Sequence, residues 1–75
     1  MLLPNGSAIK NDVIDCFNKA IDNPENISDD GSMNWNFVEH DMFMDLRDFY
    51  ASEYIFECFD VMVDEYNWLM TGKVA

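Results

Sequence analysis

Trp35-Asn36-Phe37-Val38-Glu39-His40-Asp41-Met42-Phe43-Met44-Asp45-Leu46-Arg47-Asp48-Phe49 is the stretch that decides the fold. Two periodicities compete in it. As a helix, Trp35, Val38, Met42, Leu46 and Phe49 recur at spacings of 3, 4, 4 and 3 and share one face. Asn36 followed by Glu39 has the form of a capping box at its start. As a strand, Val38, His40, Met42, Met44 and Leu46 alternate with Glu39, Asp41 and Asp45, and only Phe43 breaks the pattern. A lone strand leaves its backbone donors and acceptors without partners. The strand reading therefore requires a hairpin or pairing across a dimer. The helix reading is preferred. It gives an all-α, three-helix domain, against an α+β alternative in which residues 33–46 form a strand or hairpin beside two helices.

The flanking segments support helices on both sides. Upstream, Ile9, Val13, Cys16, Phe17 and Ala20 recur at helical spacing over about residues 8–22, with Ser7 as the expected N-cap. Ile14 and Ile21 widen that stripe, and Asp12, Asp15 and Asp22 lie mostly opposite. Asn23-Pro24 ends the helix, because proline disfavours helical geometry in the residue before it. Residues 23–34 read as a polar surface linker with an Asp30-Gly31 turn and Ile27 tucked inward. Downstream, Ile55, Phe59, Met62, Val63, Tyr66, Leu69 and Met70 lie on one broad face of a helix over about residues 52–71. Ser52 is its expected cap, Thr71-Gly72 its stop, and Lys73 suits the negative end of its dipole.

At 75 residues the chain makes a single small domain with no room for a deep catalytic cleft. Its composition, 49% apolar with six Phe, three Tyr, two Trp and six Met, suits a packed core and not a disordered tail. Met33, Met42, Met44, Met62 and Met70 are expected to fill gaps in that core. Fifteen Asp and Glu oppose four Lys and Arg, for a net charge of -11. Such a surface repels nucleic acid and anionic lipid and attracts basic proteins, so neither direct nucleic-acid binding nor membrane binding is expected. The plain alternative is that the acid serves solubility.

The charge is patterned. Glu53, Glu57, Asp60 and Asp64 are spaced 4, 3 and 4 on the last helix. At 3.6 residues per turn they fall within roughly 60° of one another, opposite the apolar face. Like charges so placed destabilise an isolated helix by a few tenths of a kcal/mol per pair. No Lys or Arg stands between Asp48 and Lys73 to relieve them. If the middle segment is helical, Asp41, Asp45 and Asp48 repeat the pattern and extend the patch. Rows of this kind space carboxylates about as phosphates are spaced along a nucleic-acid strand, roughly 6–7 Å. The competing reading is that a charge row is simply the solvated side of an amphipathic helix. Beside the row, Tyr54 and Trp68 are candidate aromatic anchors for a partner, or else the edge of a wide core together with Val61.

Other chemistry finds little support in the residues. His40 with Asp41 and Asp45 is too thin a set for a metal site. Aligning Gly31 with the sixth position of a calcium loop puts Asn26, Ser28, Asp30 and Asn34 at ligand positions but Phe37 where a bidentate Glu is needed. There is no nucleophile signature and no glycine-rich phosphate loop. No cofactor, metal or catalytic activity is expected. Cys16 and Cys58 lie in apolar helical surroundings and read as buried thiols, although one disulfide would also use both. Asn26-Ile27-Ser28 matches a glycosylation sequon by chance if the chain is not secreted. The start lacks a signal peptide's basic residues and long apolar run, and no stretch is long enough to span a bilayer, so a cytoplasmic location is expected.

Asn23-Pro24-Glu25-Asn26 and Asp29 through Glu39, followed by an acidic C-terminal helix with Val63-Asp64-Glu65-Tyr66, resemble small acidic proteins of tailed bacteriophages. That resemblance implies an accessory protein that inhibits or modulates a host enzyme, in several cases by mimicking DNA, and implies no role for any single residue. The function expected is binding to the basic surface of a host nucleic-acid-binding protein through Glu53, Glu57, Asp60 and Asp64, with Asp41, Asp45 and Asp48 extending the patch. The alternative is a small adaptor or self-assembling module that uses Tyr54, Trp68 and apolar helix edges. A homodimer suits either, since so short a chain gains core by association.

Overall fold

The structure is a computed structural model that describes residues 2–71, without the side chain of Thr71. Three α-helices run in chain order: α1 (Asn11–Ile21), α2 (Trp35–Leu46) and α3 (Ser52–Thr71), with a 3-10 turn at Pro24–Asn26. The described residues contain no β-strand, only isolated bridges between Leu2 and Ala8 and between Ile27 and Met33. The all-α reading holds, and the α+β alternative is overturned. Residues 35–46 pair with themselves along the helix axis, and the only extended pairing nearby stays within the linker.

Each helix contributes one stripe to a shared core. Val13, Phe17 and Ala20 come from α1, Val38, Met42 and Leu46 from α2, and Ile55, Cys58, Phe59 and Met62 from α3, all buried. Leu3 and Ile9 close it from the N-terminal segment. Where the three helices meet, Trp35 stacks on Phe17 at 6.2 Å and meets Phe59 and Tyr66 edge-on at 6.3 and 5.3 Å. Offset and edge-to-face aromatic contacts of this kind add to simple area burial. Both cysteines are free thiols, Cys58 buried and Cys16 half-buried. Burial pushes both thiols above their ordinary pKa.

Several element ends differ from expectation, each because a tertiary contact replaces a local one. Ser7 does not cap α1. Its carbonyl accepts from the Leu3 N–H at 2.8 Å, its own N–H donates to Asn5 Oδ1 at 2.9 Å, and Gly6 closes the turn at φ 88°. That turn delivers Leu3 and Ile9 to the core, and the helix starts later, behind Lys10. The Asn36–Glu39 box is not formed, because Asn34 occupies the cap position and Asn36 is already inside α2. Ser52 is likewise the first helical residue and not a cap, since the Ile55 N–H donates to the Ala51 carbonyl. α2 ends at Leu46, so Phe49 falls in the following turn and is 76% exposed instead of extending the apolar stripe. In the linker, Gly31 sits at φ 89°, and Asp30 Oδ1 accepts from both the N–H and the hydroxyl of Ser32, which holds its carboxyl below the usual range. Ile27 is exposed there, and Asn26 turns inward in its place. Of the methionines expected in the core, Met42 and Met62 are buried and Met33 is half-buried, whereas Met44 and Met70 are exposed. α3 runs to Thr71, and Gly72 of the proposed stop and Lys73 fall outside the described residues.

Candidate functional site: the acidic face of α3

α3 is amphipathic in the strict sense. Ile55, Cys58, Phe59 and Met62 define its buried side, and Glu53, Glu57, Asp60 and Asp64, on the opposite side, are all exposed. Neighbouring carboxylates along such a row are on the order of 5–6 Å apart at their Cβ atoms. The helix has no Lys or Arg from Ser52 to Thr71. The expected row is therefore present, straight and turned to solvent.

The second row is only partly exposed. Asp41 is half-buried and accepts a hydrogen bond at 2.9 Å from Asn26 Nδ2. Asp41 and Asp45 line a hollow between α1 and α2 together with Cys16 and Lys19. Asp45 is near enough to Cys16 to raise its thiol further, after burial and alongside Asp12 and Asp15, with Lys19 opposing. Asp48 is exposed but lies beyond the end of α2. The helical reading of the middle segment put these three on a solvent face. Asp45 and Asp48 are exposed as expected, whereas Asp41 is turned toward α1, because Val38, Met42 and Leu46 must point into the core.

The two aromatic candidates separate as well. Tyr54 is half-buried, its hydroxyl accepts from the Lys10 N–H at 3.2 Å, and its ring lies 5.2 Å from that of Tyr50. Tyr50 in turn donates to both carboxylate oxygens of Asp12 at 2.9 and 2.8 Å. This carboxylate also accepts from the Val13 N–H at 3.0 Å, in the first turn of α1, where negative charge suits the helix dipole. Donation to Asp12 pushes the Tyr50 phenol above its ordinary pKa, and desolvation does the same for Tyr54. Tyr54 is thus tied to the start of α1 and does not project as an anchor. Trp68 is 58% exposed and shares an open hollow with Val61, Asp64 and Glu65, directly beside the acidic row.

Asn26 is the polar residue that composition alone could not find. It is 4% exposed, and its amide donates to the Ala20 carbonyl and to Asp41, both at 2.9 Å. Its own carbonyl accepts from the Asn34 N–H at 2.8 Å. One side chain thus satisfies a carbonyl near the end of α1 and fixes α2 against it. No side-chain nitrogen or oxygen buried among the described residues lacks a partner.

Among the described residues, no group of three or more His, Cys, Asp or Glu is placed to hold a metal ion, and no helix is long and apolar enough to cross a membrane. His40 is exposed on the side of α2 that carries Phe43, which stacks on Phe56 of α3 at 5.5 Å. No family model matches the chain, and no curated protein or solved structure matches it.

Proposed function

We propose that the protein binds a basic surface of a nucleic-acid-binding protein and competes there with the nucleic acid, in the manner of a small phage accessory inhibitor acting in its host's cytoplasm. The observation that carries this reading is the exposure of Glu53, Glu57, Asp60 and Asp64 on one face of a helix that has no basic residue. Only Glu53, in the first turn of α3, suits the helix dipole, and like charges at the spacings of the row are repulsive. A cleft lined with Lys and Arg gains from it through complementary potential and faster encounter. Asp41, half-buried and bonded to Asn26, is left out of the contact surface, whereas Asp45 and Asp48 are exposed.

The test is a pull-down from bacterial lysate at low and high salt, followed by a DNA- or RNA-binding assay on each recovered protein. Nucleic-acid-binding proteins should be retained at low salt, released at high salt, and blocked from their nucleic acid by the added protein. Glu57→Lys with Asp60→Lys should abolish both retention and blocking. Retention that survives high salt and charge reversal favours the second reading, an interaction module that uses apolar helix edges. The exposure of Trp68, Leu69 and Met70 at the end of α3 supports that alternative.

A further inference from the structure

α3 has 20 residues and spans about 30 Å, whereas α1 has 11 and spans about 16 Å. The apolar stripe of α3 continues past the helices that cover it. Leu69 is 51% exposed and Met70 64%, although both continue the side that buries Phe59 and Met62. The uncovered portion runs into a groove between α1 and α3. The groove is floored by Ile14, Phe17 and Ile21 on one side and Met62, Tyr66 and Leu69 on the other, around a cavity of about 120 Å³.

The groove has a signed rim. Glu65 lines it, and Asn18 on the α1 side is followed one turn later by Asp22. Asp64 and Glu65 continue into the adjoining hollow under Trp68. The one Lys within α1, Lys19, lines the other groove of that helix, beside Cys16 and Asp45. The one charged residue that lines this groove is therefore acidic, and no Lys or Arg lines it.

We propose that this groove is a docking site for an amphipathic helix of a partner protein, apolar on the side that enters the groove and rich in Lys or Arg on its flanks. A trough between two helices with an apolar floor suits helix-in-groove recognition through anchors at i, i+3 or i+4, and i+7. The acidic rim selects the charge of the flanks. A second copy of this chain is the poorer occupant, because its amphipathic helices would bring further carboxylates against Asp22, Asp64 and Glu65 in a protein of net charge -11. The site adjoins the acidic row at Asp64 but includes none of Glu53, Glu57 and Asp60, and it does not depend on the proposed competition with nucleic acid.

The experiment is an amide NMR titration of the full chain with three synthetic peptides. One is a helix-forming Leu/Lys peptide with Leu at i, i+3 or i+4, and i+7. The second has the same composition in scrambled order. The third carries Glu in place of Lys. The amphipathic Lys peptide should give saturable shifts at Ile14, Asn18, Ile21 and Leu69 and bind at least tenfold more tightly than either control. Leu69→Ser, at a half-exposed position, should weaken it about tenfold without lowering Tm. No saturable binding at millimolar peptide overturns the proposal. So does equal binding of the scrambled peptide with shifts along Glu53–Asp60, a result that would leave the acidic-face function standing. Equal binding of the Glu peptide, or peptide-free dimerisation through the same amides in sedimentation, assigns the groove to another occupant and overturns it too. Loss of the lysate interaction on charge reversal of Glu57 and Asp60, with peptide binding retained, separates the two sites.

Discussion

The α1–α2 seam and the outer face of α3 carry the same kind of residue and use it in opposite ways. At the seam Asp41 is bonded by Asn26, and at the start of α1 Asp12 is bonded by Tyr50 from the connection between α2 and α3, so both carboxylates help to hold elements together. On α3, Glu53, Glu57, Asp60 and Asp64 face water along a helix without a cation. Removing charge should therefore weaken the fold at the seam and strengthen it on α3. The contrast separates carboxylates committed to the scaffold from those that face solvent.

The largest expected effect is at the hinge of the seam. Asn26→Ala removes the donor to Ala20 and Asp41, leaving the Ala20 carbonyl with only the longer bond from the Asn23 N–H at 3.3 Å and the half-buried Asp41 carboxylate without its amide partner. A loss of about 2–3 kcal/mol is expected, read as a lower urea midpoint at unchanged slope. Asp41→Ala should cost less, about 1–2 kcal/mol, because the Asn26 amide keeps its bond to Ala20. If Asp41→Ala stabilises the protein, Asp41 belongs with the α3 row and the contrast fails.

Tyr50→Phe sharpens the comparison through pH. The phenol of Tyr50 has its pKa raised by donation to Asp12, so its protonated form is favoured by folding. Its contribution is fully present below the unfolded tyrosine value, about 10, and is lost as pH rises through the higher folded value. Wild type should exceed Tyr50→Phe in Tm at neutral pH, and the gap should close in alkaline solution. A pH-independent gap would show that the hydroxyl does not act through its proton.

The smallest effect has the opposite sign. Glu57→Gln or Asp60→Asn should raise stability by about 0.2–0.5 kcal/mol, and added salt should stabilise wild type more than either variant. Destabilisation by these changes would mean that the row is engaged within the fold, and the proposed function would lose its foundation.

The spacing of apolar residues was sufficient for three helices, because a 3.6-residue period leaves each helix one face to bury, and Val38, Met42 and Leu46 were legible as that face. The row on α3 was legible for the same reason, since a face opposite a well-defined core stripe has nowhere to point but solvent. Phe49, Leu69 and Met70 were misassigned because periodicity says which side of a helix a residue occupies, not whether a neighbour reaches far enough to cover it. Asp41 was misplaced because the polar side of α2 is wide, and only the packing of α1 determines which part of it meets another helix.

By itself the sequence determined the helical class, the core stripe of each helix where a neighbour covers it, and the anionic side of α3, since all three follow from local period and charge. Tertiary structure alone decided that Asn26 turns inward, that Tyr50 and Tyr54 fasten the start of α1, and that α3 outruns its partners. These depend on contacts between residues distant along the chain, and such contacts leave no periodic trace in the order of amino acids.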